Sequence, residues 1–93
     1  MKLLIAVDME GISGVVNWDQ VNPGKSEWQR FRRIMTEEVN AAISGAMDAG
    51  VDEVIVSDGH WNSDNIIIEQ LDSRARLNAG VTKVGAMVQG VDD

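Results

Sequence analysis

The segment Leu3-Leu4-Ile5-Ala6-Val7 (residues 3–7) is a short, continuous apolar run, and Asp8 and Glu10 follow it directly. A run of this kind is typical of a strand that is buried on both faces of a parallel sheet, and we place that strand at Lys2–Val7. A second run with the same character, residues 51–57, leads into Asp58-Gly59-His60. The sequence therefore predicts two parallel strands, each followed at its carboxyl end by polar side chains.

A long amphipathic helix is predicted between these strands. Ser26 and Gln29 have the spacing of a capping box at its start, and Gly50 is placed to end it. Its apolar residues recur at spacings of three and four: Trp28, Phe31, Met35, Val39, Ala42, Ile43 and Ala46. Strand, helix and strand together predict a right-handed βαβ crossover.

The remaining residues predict a smaller continuation of the same fold. Ser63 or Asp64 is expected to cap a second helix that holds Ile66, Ile67 and Leu71. A short strand is expected at residues 75–78, a turn at Gly80, and a further strand or helix from Val84. The predicted class is α/β, with a three-layer-type parallel sheet. Because 93 residues fall below the usual domain size of about 100–150, we expect residues 1–93 to be either a small domain or the amino-terminal part of a larger α/β domain, with no second domain.

Composition excludes several classes of partner. The chain has 8 Lys and Arg residues against 15 Asp and Glu residues, and its formal net charge is −7. Phosphate binding depends mainly on Lys and Arg, so neither nucleic acid nor an anionic membrane is an expected partner.

The first apolar run is too short for a signal-peptide core or a membrane span, and we expect a cytoplasmic protein. There is no cysteine, so any metal must be bound by oxygen and imidazole.

Asp8, Glu10 and His60 are the residues for which the sequence predicts chemistry. They follow two predicted parallel strands, and ligands of open α/β sheets bind at the carboxyl ends of the strands. If residues 8–10 stay extended, the side-chain period of two places Asp8 and Glu10 on one face. Two carboxylates and an imidazole suit zinc or another divalent ion, and three ligands leave a position for water. Such an ion lowers the pKa of bound water from about 15.7 towards about 7.

Simpler or different interpretations of the same residues stay open at this point. An Asp after a strand is often a loop residue or a helix cap, and a lone histidine is often solvated. Residues 8–12, Asp-Met-Glu-Gly-Ile, also resemble the Asp-X-Asp-Gly-Thr motif of magnesium-dependent phosphohydrolases of the haloacid dehalogenase type, although Glu10 and His60 argue against it. A third interpretation is a non-catalytic module with a vestigial site. Trp18 and Trp61 are loop aromatics that either line a pocket or cover the edge of the sheet.

Four segments of the chain resemble one known family in order and spacing. They are Val7-Asp8-Met9-Glu10-Gly11-Ile12-Ser13-Gly14, Ile34-Met35-Thr36-Glu37-Glu38-Val39-Asn40, Ser57-Asp58-Gly59-His60 followed by Asn65, and Met87-Val88-Gln89-Gly90-Val91-Asp92. The whole chain is similar in register to the first third of the zinc-dependent D-aminopeptidases associated with dipeptide-transport operons. One departure is Gly59, where that family commonly has a serine.

This resemblance implies a cytoplasmic, self-compartmentalising metallo-aminopeptidase that removes amino-terminal D-residues from short peptides. It implies a ring-like homo-oligomer. It also implies that Asp8, Glu10 and His60 are zinc ligands and that Asp8 bridges two zinc ions. The other ligands, a histidine and a glutamate, and a further active-site histidine lie beyond the equivalent of Asp93. No catalytic residue other than these metal ligands is therefore assigned within the chain.

Overall fold

The computed structural model describes residues 1–80, which form a parallel sheet with one long helix. The strands are β1 (Lys2–Val7), β2 (Glu53–Asp58) and β3 (Ala75–Asn78), in the order β1-β2-β3, and both pairs are parallel. Helix α1 (Ser26–Asp48) connects β1 to β2. The predicted α/β class and βαβ crossover are confirmed, and the element predicted from Val84 lies outside the described residues.

The register of β1 and β2 brings their carboxyl ends together. Val7, the last residue of β1, pairs with Asp58, the last residue of β2. One further backbone bond, from Gly59 N–H to the Val7 carbonyl at 2.9 Å, extends this ladder. The chain segments that carry Asp8 and His60 therefore leave the sheet side by side.

The core lies between α1 and one face of the sheet. The large side chains of the predicted apolar stripe are buried in it against Val54 and Val56, namely Trp28, Phe31, Met35, Val39 and Ile43. Burying each such side chain stabilises the fold by roughly 1.5–3 kcal/mol. Ala42 is exposed and Ala46 only partly buried, so the stripe is narrower than predicted.

The ends of α1 follow the prediction at one terminus only. The residue that caps the start is Lys25, without a side-chain hydrogen bond, so the predicted capping box of Ser26 and Gln29 is wrong. The Gln29 side chain instead accepts a hydrogen bond from Arg32 at 3.2 Å. At the other end Gly50 has φ +93°, a left-handed conformation that glycine adopts without a Cβ penalty.

The same helix end explains why β2 starts later than predicted. The Val51 N–H donates to the Ala46 carbonyl at 3.1 Å, and Gly50 N–H donates to the Met47 carbonyl at 3.0 Å. These are the two bonds of a Schellman motif, so Val51 belongs to the helix terminus. The strand consequently begins at Glu53 and continues to Asp58, one residue beyond the prediction.

The second helix predicted around Ile66 does not form, and only one 3₁₀ turn, Ile68–Gln70, lies in that segment. The backbone N–H groups that would enter the helix are bonded to side chains from elsewhere. Ile66 N–H donates to Asp58 at 2.8 Å, and Ile67 N–H donates to the Thr36 hydroxyl at 3.0 Å. The β-branched Ile66-Ile67-Ile68 run adds little helix propensity to oppose this.

The start of β3 is tied to α1 by a polar turn. Asn40 of the helix accepts a hydrogen bond from Asp72 N–H at 2.7 Å and donates one to the Gln70 carbonyl at 2.7 Å. The Asp72 carboxylate in turn pairs with Arg74, whose Nη2 lies 2.7 Å from Oδ2. Its hydrogen bonds to Arg74 lower the pKa of Asp72 to about 2. The predicted strand at residues 75–78 is confirmed.

Candidate metal centre

The predicted trio of Asp8, Glu10 and His60 comes together at the carboxyl ends of β1 and β2. One ligand atom from each residue lies within 4.8 Å of the others. His60 Nδ1 is 3.0 Å from Asp8 Oδ1 and 2.9 Å from Glu10 Oε1. The imidazole is only 3% exposed, whereas the two carboxylate side chains are 44% and 49% exposed. The cluster therefore has a buried nitrogen at its base and two acidic groups open to solvent.

The backbone that presents the two carboxylates is a turn and not an extended strand. Residues Met9–Gly11 form a 3₁₀ turn, and Asp8 caps it by accepting the Met9 N–H at 2.8 Å. The turn buries Met9 completely and leaves Asp8 and Glu10 towards solvent. The prediction that Asp8 and Glu10 lie together is thus right, but the reason given for it, an extended backbone, is wrong.

A backbone carbonyl fixes the protonation pattern of the His60 ring. His60 Nε2 lies 2.7 Å from the Val21 carbonyl oxygen, which can only accept a hydrogen bond. The proton of a neutral imidazole is therefore on Nε2, and the lone pair of Nδ1 faces the oxygens of Asp8 and Glu10. Three electron-rich atoms converge, so the space between them suits a cation, either a metal ion or a proton on Nδ1. A ring N–H that donates to a carbonyl is also the usual support of a metal-binding histidine.

The loop that carries His60 is organised by Asp58, whose side chain is fully buried. Its Oδ2 accepts the N–H groups of Asn65 at 2.6 Å and Ile66 at 2.8 Å, and its Oδ1 accepts the Asn65 amide at 3.0 Å. The His60 N–H lies 3.4 Å from the same Oδ1. Asp58 follows the sheet like the other acidic residues, but its carboxylate holds the loop and does not join the cluster.

Asn65 connects this loop to the helix. Besides its bonds to Asp58, its side chain donates to the His60 carbonyl at 2.6 Å and accepts the Trp28 indole N–H at 3.0 Å. These bonds hold a loop in which Trp61 and Ser63 have φ +48° and +57°. Left-handed conformations at residues other than glycine cost on the order of 1–3 kcal/mol each. The polar network therefore offsets backbone strain directly beside His60.

Gln20 holds the segment that supplies the Val21 carbonyl. The Gln20 side chain is buried, accepts the N–H groups of Val16 at 2.5 Å and Asn17 at 2.9 Å, and donates to the Gly14 carbonyl at 3.1 Å. Sequence reasoning missed Gln20 and the Val21 carbonyl, because a loop glutamine and a backbone oxygen carry no recognisable pattern. It noted Asn65 only as part of the family resemblance.

Glu38 of α1 anchors the loop after the first turn. Its two carboxylate oxygens lie 3.2 and 3.4 Å from the Ser13 N–H. The segment that bears Asp8 and Glu10 is thus attached to the helix, and the segment that bears His60 is attached to it through Trp28 and Asn65. Helix α1 supports both halves of the cluster, although no side chain of α1 belongs to it.

Comparison with known proteins gives this geometry a context. The family model described as D-aminopeptidase, peptidase M55, matches residues 1–93. The chain belongs to the D-aminopeptidase family. A curated D-aminopeptidase from Bacillus subtilis (strain 168) is 45% identical over 93 residues, which are 100% of this chain and 34% of that relative. Membership of the D-aminopeptidase family argues against the phosphohydrolase interpretation of residues 8–12.

A solved structure from the same family has the same backbone. The Zn-dependent D-aminopeptidase DppA from Bacillus subtilis, described as a self-compartmentalizing protease, matches with a TM-score of 0.95 and 44% identity. The match covers 99% of this chain and 34% of that protein, so the chain spans about a third of the length of its D-aminopeptidase relatives. In the described part of the chain, no helix combines the length and the apolar character that crossing a bilayer requires.

Proposed function

We propose that the chain carries part of the zinc site of an aminopeptidase that removes amino-terminal D-residues from short peptides. The observation that carries this proposal is the orientation of His60, whose Nε2–H is bound by the Val21 carbonyl while Nδ1 faces Asp8 and Glu10. Membership of the D-aminopeptidase family and the Zn-dependence of DppA support zinc as the cation.

The donor set fits zinc on chemical grounds. Two carboxylates and a neutral imidazole balance the charge of a divalent ion, and zinc accepts both nitrogen and oxygen ligands. Among the hydrogen bonds of residues 1–80, Asp8 uses Oδ1 and leaves Oδ2 without a partner. This second oxygen supports the proposal that Asp8 bridges to a second zinc ion, at the spacing of about 3.5–4 Å that paired ions have. The other ligands of that ion would come from residues outside this chain.

Each residue of the cluster has a distinct task in this proposal. When bound, zinc supplies a Lewis acid for the scissile carbonyl and a water of lowered pKa. His60 is held by Val21 so that Nδ1 keeps its lone pair directed at the site. Asp8 and Glu10, which are nearly half exposed, would bind the ion with their carboxylate oxygens and leave it accessible from the solvent side.

Assembly and location complete the proposed function. A ring-like homo-oligomer is supported by the description of DppA as self-compartmentalizing, and an enclosed chamber would restrict substrates to short peptides. The cytoplasm is the proposed location. It agrees with the absence of cysteine from the sequence.

The test is hydrolysis of dipeptides that differ only in the configuration of the first residue. Zinc-loaded protein is expected to release the first amino acid from D-Ala-Gly and not from L-Ala-Gly. Activity should disappear on chelation and return with added zinc. Equal rates for both peptides would contradict the proposal, and a folded protein that binds no zinc in calorimetry would favour the non-catalytic interpretation.

Gln20→Ala is expected to weaken zinc binding although Gln20 does not belong to the cluster. The variant removes the three loop bonds of Gln20 and frees the Val21 carbonyl to move away from His60. Groups that orient a metal ligand typically contribute about 10–100-fold in metal affinity, and we expect a loss in that range. Competition with a chromogenic chelator measures it. Gln29→Ala, at an exposed position of α1, is the control. An unchanged affinity in folded Gln20→Ala would show that Gln20 does not position the Val21 carbonyl.

A further inference from the structure

A groove with mainly apolar walls lies directly beside the candidate metal centre. Its volume is about 450 Å³, within the range of roughly 300–1,000 Å³ that is usual for small-molecule sites. The residues that line it come from the first turn and from the loop before α1: Glu10, Val15, Val16, Asn17, Trp18 and Val21. Trp18, for which the sequence leaves a pocket or a sheet edge open, thus lines a groove.

The apolar side chains that line this groove belong to a loop and are exposed to solvent. Trp18 is 72% exposed and Val16 is 84% exposed. The Gln20 side chain binds the backbone of Gly14, Val16 and Asn17, and Val21, 1% exposed, anchors the following residues in the core. Exposed apolar side chains that a rigid loop keeps together mark a site where another apolar group binds.

The position of the groove indicates what that group is. Glu10 belongs both to the groove and to the cluster with His60. Val21 lines the groove with its side chain while its carbonyl holds the His60 ring. A peptide whose scissile carbonyl lies at the cluster therefore has its nearest side chains at the entrance of the groove.

We propose that this groove is the subsite for an apolar side chain of the peptide, on one of the two residues that flank the scissile bond. The proposal rests on the proposed peptidase function and names its side-chain preference. Among residues 1–80, the lining contains one carboxylate, Glu10, and no Lys or Arg, so an acidic side chain is disfavoured. Trp18 forms the largest apolar wall, and its removal weakens the preference.

The experiment compares kcat/KM for three dipeptides in the zinc-loaded protein: D-Ala-Gly, D-Leu-Gly and D-Ala-Leu. Trp18→Ala is expected to lower one of the two leucine-to-reference ratios about tenfold, since one methylene in an apolar pocket is worth 10-fold or more. The ratio that falls identifies which flanking residue enters the groove. Val16→Thr should lower the same ratio by less. Ile68→Thr is the matched control, because Ile68 is also exposed, at 70%, but lines a different groove.

A binding measurement separates this proposal from the peptidase proposal. Calorimetry with D-leucine, L-leucine and D-alanine, which cannot be hydrolysed, should show tighter binding of one leucine, and Trp18→Ala should abolish the difference. If no dipeptide is cleaved but this difference persists, the groove binds an apolar side chain as proposed, and only the peptidase function is contradicted. If dipeptides are cleaved and Trp18→Ala changes neither ratio, the groove proposal is wrong. It is equally wrong if Trp18→Ala alters the sedimentation of the assembly, because a second copy of the chain then covers the groove.

Discussion

Asp8→Ala is expected to remove both zinc ions and Glu10→Ala to remove one, and Asp8→Ala should reduce hydrolysis of D-Ala-Gly to background. Asp8 Oδ1 and Glu10 Oε1 both lie beside His60 Nδ1. In the proposed two-ion site, the second oxygen of Asp8 would bind the neighbouring ion, whereas Glu10 would bind one ion only. Metal ions supply several kcal/mol of transition-state stabilisation, so a loss of at least about 1,000-fold in kcat/KM is expected. Inductively coupled plasma measurement of zinc per chain, with kcat/KM on the same samples, tests this.

The variant Asp8→Asn distinguishes a loss of metal binding from a loss of stability. The Asp8 side chain also caps the Met9–Gly11 turn, and the loss of such a cap costs about 0.5–2 kcal/mol. Asparagine is as good a cap as aspartate but lacks the negative charge, so Asp8→Asn should keep stability and lose metal. Glu37→Ala, at an exposed position of α1, should keep both. Unchanged zinc content in Asp8→Ala and Glu10→Ala would exclude the cluster as a zinc site.

Asp58→Asn is expected to lower the free energy of unfolding by about 2–4 kcal/mol, because each buried donor left unpaired costs about 1–3 kcal/mol. Both carboxylate oxygens of Asp58 accept hydrogen bonds from buried groups of residues 65 and 66. An asparagine amide has only one oxygen, so in either orientation its NH₂ group faces another donor.

Urea unfolding followed by tryptophan fluorescence measures this loss, with Asp64→Asn as the control. Asp64 lies in the same loop but is exposed, so its substitution should change the stability by less than about 0.5 kcal/mol. Zinc affinity should fall together with stability in Asp58→Asn, since the same bonds position His60. A stability equal to that of Asp64→Asn would show that Asp58 does not hold the loop.

The family and most of the fold could be predicted from the sequence because they depend on local pattern. Strand β1 follows from its continuous apolar run, the apolar face of α1 from spacings of three and four, and the end of the helix from Gly50. The short strand β3 was also predicted at its observed position. The rule that the carboxyl ends of parallel strands lie at one edge of the sheet was sufficient to predict that Asp8 and His60, 52 residues apart, lie close together. The resemblance of four motifs predicted the D-aminopeptidase family, which the comparisons confirm.

The tertiary structure alone decided how the cluster is held. The turn at Met9–Gly11, the Val21 carbonyl 39 residues from His60, and the Trp28–Asn65 bond across 37 residues all depend on contacts between distant segments. The second predicted helix failed for the same reason, since Asp58 and Thr36 bind the N–H groups that a helix would have used. The sequence pattern shows which side chains are apolar and therefore which face of an element is buried. The partner of a buried polar group depends on the tertiary packing, because packing excludes water and the group must then form its hydrogen bond within the protein.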